Sequence, residues 1–184
     1  EIYSKALKAL VNIFCDDSRK GVYILGSGAI VHPKGYELTN AHIAENFSKE
    51  GIDCVLRRGS PARNWAKAKV IYIPDQSQKI GSSTIPMNDI AILKITEPLG
   101  TDKFPNSFDY FTFGPVYQVQ MGEVLYSLGF PTEFLGAEII LRNTNILFSL
   151  GTVEDLVTLD DDRSNAEGAY RKGEISAQHG SSGG

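Results

Sequence analysis

Residues 26–43 read GSGAIVHPKGYELTNAHI. Together with the apolar residues just before them they form a β-rich run from Val22 to Val31, a break at HPKG (residues 32–35), and a second short run from Tyr36 to Thr39. Pro33 and Gly35 are spaced as in a type I turn, where proline suits the second position and glycine the fourth. Two β-rich runs joined by such a turn predict a hairpin. Gly26 and Gly28 stand inside the first run. Glycine weakens a strand, so its presence there points to a bulge or a close backbone approach. The stretch closes on His42, beside the small Ala41.

Strand candidates extend in both directions from this hairpin. Before it, residues 3–12 fit a helical spacing, but LVNIFC (10–15) reads as a strand. After it come DCVLRRG (53–59), AKVIYI (68–73) and IAILKI (90–95), with a polar stretch at 75–88 that reads as a long surface loop. That makes six strand candidates before about residue 100, the length of a small domain. Residues 100–115, GTDKFPNSFDYFTFGP, carry four phenylalanines and two prolines without a clear period, and are expected to be a connector packed against the rest. Strand-like runs resume in GEVLYSLGF (122–130), AEIILRNTNILFS (137–149) and GTVEDLVTL (151–159), followed by a charged loop, DDDRSNAEGAYRKGE (160–174). Many short strands, frequent turns and little helix predict an all-β sandwich or barrel.

The chain has 184 residues, 42% of them apolar and 22% charged, which is the balance of a folded protein with one core or two small ones. A net charge of -4 argues against a nucleic-acid or anionic-membrane binder. No apolar run approaches the roughly 18 residues of a membrane span. The chain opens on Glu1 rather than Met, as expected of a mature product or a piece of a longer chain, so a missing signal peptide carries no weight. Cys15 and Cys54 are too few for a zinc site and form no C-x-x-C pair. They are either two buried thiols or one disulfide. A bridge would close a loop of about 40 residues, worth roughly 4 kcal/mol of chain entropy.

The last residues, GSSGG (180–184), suit either a flexible linker or a shaped loop around one reactive hydroxyl. A reactive serine needs a base within hydrogen-bond reach, and the base needs an orienting group. Of three histidines, His32 falls in the turn and His179 lies three residues before Ser182, which leaves His42. Taken alone, a histidine after a strand is most often a packing or surface residue. Asp89, in MNDIAILKI, precedes an apolar strand, where a carboxylate must find hydrogen bonds or shift its pKa.

In this order the features resemble the trypsin-like (chymotrypsin-fold) serine peptidases, and most of all the bacterial HtrA/Deg-type and other small bacterial trypsin-like domains. GSGAIVHPKGYELTNAHI is similar to that family's approach to its histidine, NDIAILKI to its aspartate strand, GEVLYSLGFP to the opening of its second barrel, and GSSGG to its nucleophile loop. The resemblance runs from about Leu10 to the end. It implies two antiparallel six-stranded β-barrels, the first with its connector at 1–113 and the second at 114–184. The family fold continues beyond its nucleophile, so the second barrel is expected to be incomplete here and the chain itself to be weakly active or inactive.

The resemblance further implies a serine endopeptidase with His42, Asp89 and Ser182 as its triad. The Gly180 and Ser182 N–H groups would form the oxyanion hole, with Ser176 at the pocket base and His179 near its rim. No metal or other cofactor is implied; substrates would be polypeptides, and the protein would be exported. The sequence departs from many secreted trypsins at Ile43, where those have cysteine, and at Ser181, where they have an aspartate that pairs with a cleaved N-terminus. The alternatives are an inactive binding or scaffold module of the same fold, and an esterase using the same three side chains.

Overall fold

The computed structural model describes residues 1–74, 89–101, 103–114, 120–131, 136–158 and 168–172, and for 155–158 and 168–172 the backbone alone. Six strands lie in the first half: β1 (Leu10–Asp17), β2 (Val22–His32), β3 (Tyr36–Thr39), β4 (Ile52–Arg58), β5 (Arg63–Tyr72) and β6 (Ala91–Pro98). Each overlaps one of the six candidates, although β5 begins five residues before AKVIYI, and they close into a barrel in the order β1-β2-β3-β6-β5-β4, each pair antiparallel. A helix, α1 (Ile2–Ala9), precedes β1, so the helical spacing and the strand reading each hold on their own side of residue 10.

The hairpin at the centre of the sequence forms as its turn residues demand. The Gly35 amide donates to the His32 carbonyl (2.9 Å), and Gly35 has φ +76°. The two strand glycines have a different cause. A Cβ on Gly26 would lie 2.8 Å from Ile43 Cγ2, and one on Gly28 would overlap Glu37 Oε1. Glu37 from the far arm of the hairpin presses on Gly28, and Ile43 from the helical turn that follows presses on Gly26, so the close approach involves side chains where the sequence suggested backbone.

The barrel interior is filled by Val11, Ile13, Ile30, Leu56, Leu93 and Ile95, all essentially inaccessible. Burying each is worth about 1.5–3 kcal/mol. Among them sits Glu37, fully buried, with neither carboxylate oxygen hydrogen-bonded among the described residues. Burial raises its pKa to about 8, so at neutral pH it is carried as the uncharged acid. The seam that closes the barrel joins β1 to β4, where Cys15 and Cys54 are direct partners with Cα atoms 4.0 Å apart and form a disulfide.

The connector is strapped to this barrel. The Phe108 amide donates to the Pro33 carbonyl (2.9 Å) and the Phe111 amide to the Ile30 carbonyl (2.8 Å). Phe104 and Phe108 pack edge-on against Trp65 and against each other.

The second half differs from expectation. Its described strands, β7 (Val124–Gly129), β8 (Leu147–Thr158) and β9 (Gly168–Lys172), form a three-stranded sheet in that order, and no second closed barrel exists among the described residues. AEIILR, read from sequence as strand, is a helix, α3 (Ala137–Arg142). Its apolar run has no period that separates helix from strand. Glu138 in the first turn and Arg142 in the last suit a helix dipole. The decisive stabilisation comes from the first barrel. Arg57, buried at the end of β4, donates to the Ile140 (3.0 Å) and Leu141 (2.8 Å) carbonyls, and Arg63 donates to the Arg142 carbonyl (2.6 Å). These are carbonyls that a helix end leaves without internal partners. A second apolar cluster, Ala6, Leu10, Ala62, Phe130 and Ile146, fills the space between α1, the barrel and the later segments.

Candidate active site

The chain leaves β3 at Thr39 and turns through Asn40 into a four-residue helix, α2 (Ala41–Ala44), which continues as a 3-10 turn over Glu45–Ser48. Thr39 pairs with Ala91, the first residue of β6. That register brings residues 40–42 alongside Asp89, two positions before the strand.

The resulting contact is tight. His42 Nδ1 lies 2.6 Å from Asp89 Oδ2. The His42 backbone amide donates to Asp89 Oδ1 (3.0 Å). Asn40 Nδ2 donates to Asp89 Oδ2 (3.1 Å) and to the Asp89 carbonyl (2.8 Å). The aspartate is thus held by three groups, two of them from His42 itself and the third from Asn40. With Asp89 engaged at Nδ1, that nitrogen carries the proton in the neutral ring, and Nε2 keeps its lone pair. The imidazole is about half exposed, at 53%, so Nε2 is open to a partner, while Asp89 is more sheltered at 21%.

Support reaches back further. Asn46, buried in the 3-10 turn, donates through Nδ2 to the His42 and Ile43 carbonyls, each at 3.0 Å. Ile43 packs onto Gly26 of β2. The turn that carries His42 is therefore fixed on one side by a side-chain amide and on the other by a contact for which only glycine leaves room. Sequence reasoning singled out His42 and Asp89 but assigned nothing to Asn40 or Asn46. The signal available was Asn40 itself, an asparagine directly before a short helix, although its side chain turns to Asp89 rather than capping.

Of the other candidates, His32 stays in the turn region, where its Nδ1 accepts from the Lys34 amide (3.1 Å) and its ring meets Tyr36 edge-on. It lies apart from the His42–Asp89 pair. Ser182, Gly180, Ser176 and His179 fall outside the described residues. No group of three or more His, Cys, Asp or Glu side chains suited to a metal is gathered among the described residues, and no described helix is long and apolar enough to cross a membrane.

The sequence of residues 26–184 matches the trypsin-like peptidase domain family. No curated protein matches the chain in sequence. Among solved structures, Deg5 is similar, with a TM-score of 0.63 at 15% identity, over 99% of this chain and 75% of that one. At that identity the likeness is one of fold.

Proposed function

The chain belongs to the trypsin-like peptidase family, and from that premise we propose that it is a serine endopeptidase acting through an acyl-enzyme. The observation that carries the reading is the 2.6 Å contact between His42 Nδ1 and Asp89 Oδ2, reinforced by the Asp89 bonds to the His42 amide and Asn40. An ordinary surface ion pair has no such second and third anchor.

In this mechanism Ser182 Oγ attacks the scissile carbonyl as its proton passes to His42 Nε2. Asp89 accepts the Nδ1–H bond throughout, which keeps the ring in the tautomer whose Nε2 is basic and stabilises the imidazolium that forms. The developing oxyanion receives the Gly180 and Ser182 N–H groups; Gly180 suits this because a residue without Cβ reaches backbone conformations others avoid. The proton on Nε2 then goes to the leaving amine, and water repeats the sequence on the acyl-enzyme. Ser176 is assigned to the base of the substrate pocket and His179 to its rim. Residues 1–113 are assigned to the barrel that supplies base and acid, with its connector, and 114–184 to a second β-barrel unit that supplies the nucleophile. Export fits a protein with a cross-strand disulfide, since such bonds persist in oxidising compartments.

A fluorophosphonate reacts only with an activated serine, so intact-mass measurement and peptide mapping test the assignment. Labelling of Ser182 alone, lost in His42→Ala, is expected. A label on another serine, or Ser182 labelling that persists undiminished in His42→Ala, would refute it.

A further inference from the structure

At the end of the barrel away from His42 lies a cavity of about 350 Å³. The β6 strand runs from Ala91, beside Asp89, to Pro98 at the cavity wall, a span of roughly 25 Å at strand rise. An occupant there is out of reach of His42. The volume is at the small end of the roughly 300–1,000 Å³ typical of ligand pockets, enough for one side chain or a small acid.

Apart from the uncharged amide of Asn64, the lining has two chemistries. Trp65, Phe104, Pro98 and Pro105 form apolar walls, and the prolines offer no N–H to a polar guest. Arg58 and Lys103 add two cations to the same space, in a chain whose net charge is -4. The Arg58 guanidinium lies over the Trp65 ring, with Cζ 4.1 Å from the ring centroid, a contact that holds it against the indole. Among the described residues that guanidinium makes neither a hydrogen bond nor an ion pair, and Lys103 makes none either. Its neighbour at the end of β4, Arg57, by contrast spends its donors on four carbonyl and amide oxygens. Burial lowers the pKa of Arg58, and the Asp109 carboxylate acts in the opposite sense without bonding to it. A planar donor edge held in place by an indole, unspent, beside a second cation and above an aromatic floor, is suited to a carboxylate carried on an apolar body.

We propose that the cavity beside Trp65 is a second binding site, which takes a carboxylate attached to a single apolar or aromatic group. A peptide ending in a large apolar residue and a free aryl acid share that chemistry. The carboxylate meets the Arg58 edge and Lys103, while the apolar group lies against Phe104 and the prolines. Occupancy would stiffen the start of the connector, because Phe104 is packed on Phe108, whose amide is bonded to the central hairpin. The inference does not depend on peptidase activity.

Trp65 is the only tryptophan in the chain, so its fluorescence reports on this cavity directly. The intact protein is titrated with N-acetylphenylalanine, N-acetylphenylalanine amide and 3-phenylpropanoate. A saturable change with the acids is expected, with the amide about tenfold weaker or more, the cost of losing a charge-assisted hydrogen bond. Lys103→Met, at an exposed position, and Arg58→Met are expected each to weaken the acids by at least about fivefold, with partial recovery in Arg58→Lys. Tighter binding of N-acetylphenylalanine than of 3-phenylpropanoate assigns the site to peptide C-termini, and equal binding assigns it to free aryl acids. The proposal is overturned if the amide binds as well as the acid, if no saturable change occurs, or if Lys103→Met, whose folding is not at issue, binds the acids unchanged.

Discussion

The barrel of β1–β6 and the sheet of β7–β9 are built from similar short apolar strands, yet they are secured differently. In the barrel every strand has two partners, so no edge is left open, and the interior side chains are all but inaccessible. Among the described residues β7 and β9 are the edges of the sheet, and Val124, Tyr126, Phe148 and Leu150 are 41–57% exposed. Closure satisfies backbone groups and buries one face of every strand at once, whereas a three-stranded sheet does neither alone. The His42–Asp89 pair stands just beyond the ends of two paired strands of the closed element, β3 and β6, which is where a geometry of a few tenths of an ångström can be maintained.

The sharpest challenge to this contrast is chemical. His42→Ala is expected to remove nearly all peptidase activity while leaving the melting temperature little changed, because the ring is half exposed. Ser182→Ala should do the same, and the double variant should lose scarcely more, since triad members act as a unit. Asp89→Asn should cost on the order of 10⁴ in kcat by favouring the wrong tautomer. Additive losses in steady-state kinetics would show that the two halves do not share a mechanism.

Glu37 tests the barrel interior. With its folded pKa raised to about 8, against 4.5 for the free side chain, the unfolded chain loses the proton first as pH rises. Its stabilising contribution is therefore complete below about pH 4.5 and declines until pH passes about 8, by a total on the order of 5 kcal/mol. Urea unfolding of Glu37→Gln should lack this decline, so the variant gains on the parent progressively from pH 5 to pH 8. Parallel curves for the two proteins would mean that the carboxyl finds water or a partner.

Core truncation separates the regions directly. Leu93→Ala, inside the barrel, should cost about 2–5 kcal/mol in unfolding free energy. Leu150→Ala, on the exposed sheet face, should stay within about 0.5 kcal/mol. Equal losses would show that the sheet face is covered in solution. Between these two, Arg57→Met should cost about 1.5–3 kcal/mol through the carbonyls it leaves unpaired, and hydrogen exchange should locate the loosening in α3 rather than in the barrel.

The difference between the regions is also the difference in what sequence could reveal. The barrel strands were legible because local signals bound them: Pro33 and Gly35 in the hairpin turn, the polar stretch after AKVIYI, a polar residue before IAILKI. His42 and Asp89 were legible because each adjoins such a strand. AEIILR was misread because what makes it a helix is in large part remote, two arginines from the barrel supplying its last carbonyls. Asn40, Asn46 and the pressure of Ile43 on Gly26 escaped notice for a related reason. They act across the turn, in contacts that no spacing along the chain announces. The acid in the barrel was equally hidden, since Glu37 alternates correctly only if a charged residue is allowed to point inward.

The bond between Cys15 and Cys54 also bears on survival among proteases. It makes the intervening chain, which includes β2, β3 and His42, a covalent ring. A single cut in that ring, even in the exposed turn at residues 18–21, leaves both pieces tethered and the barrel seam joined. Under the proposed function, a molecule crowded with copies of itself is thus nicked within this ring without shedding His42, and the damage is visible on a gel only after reduction.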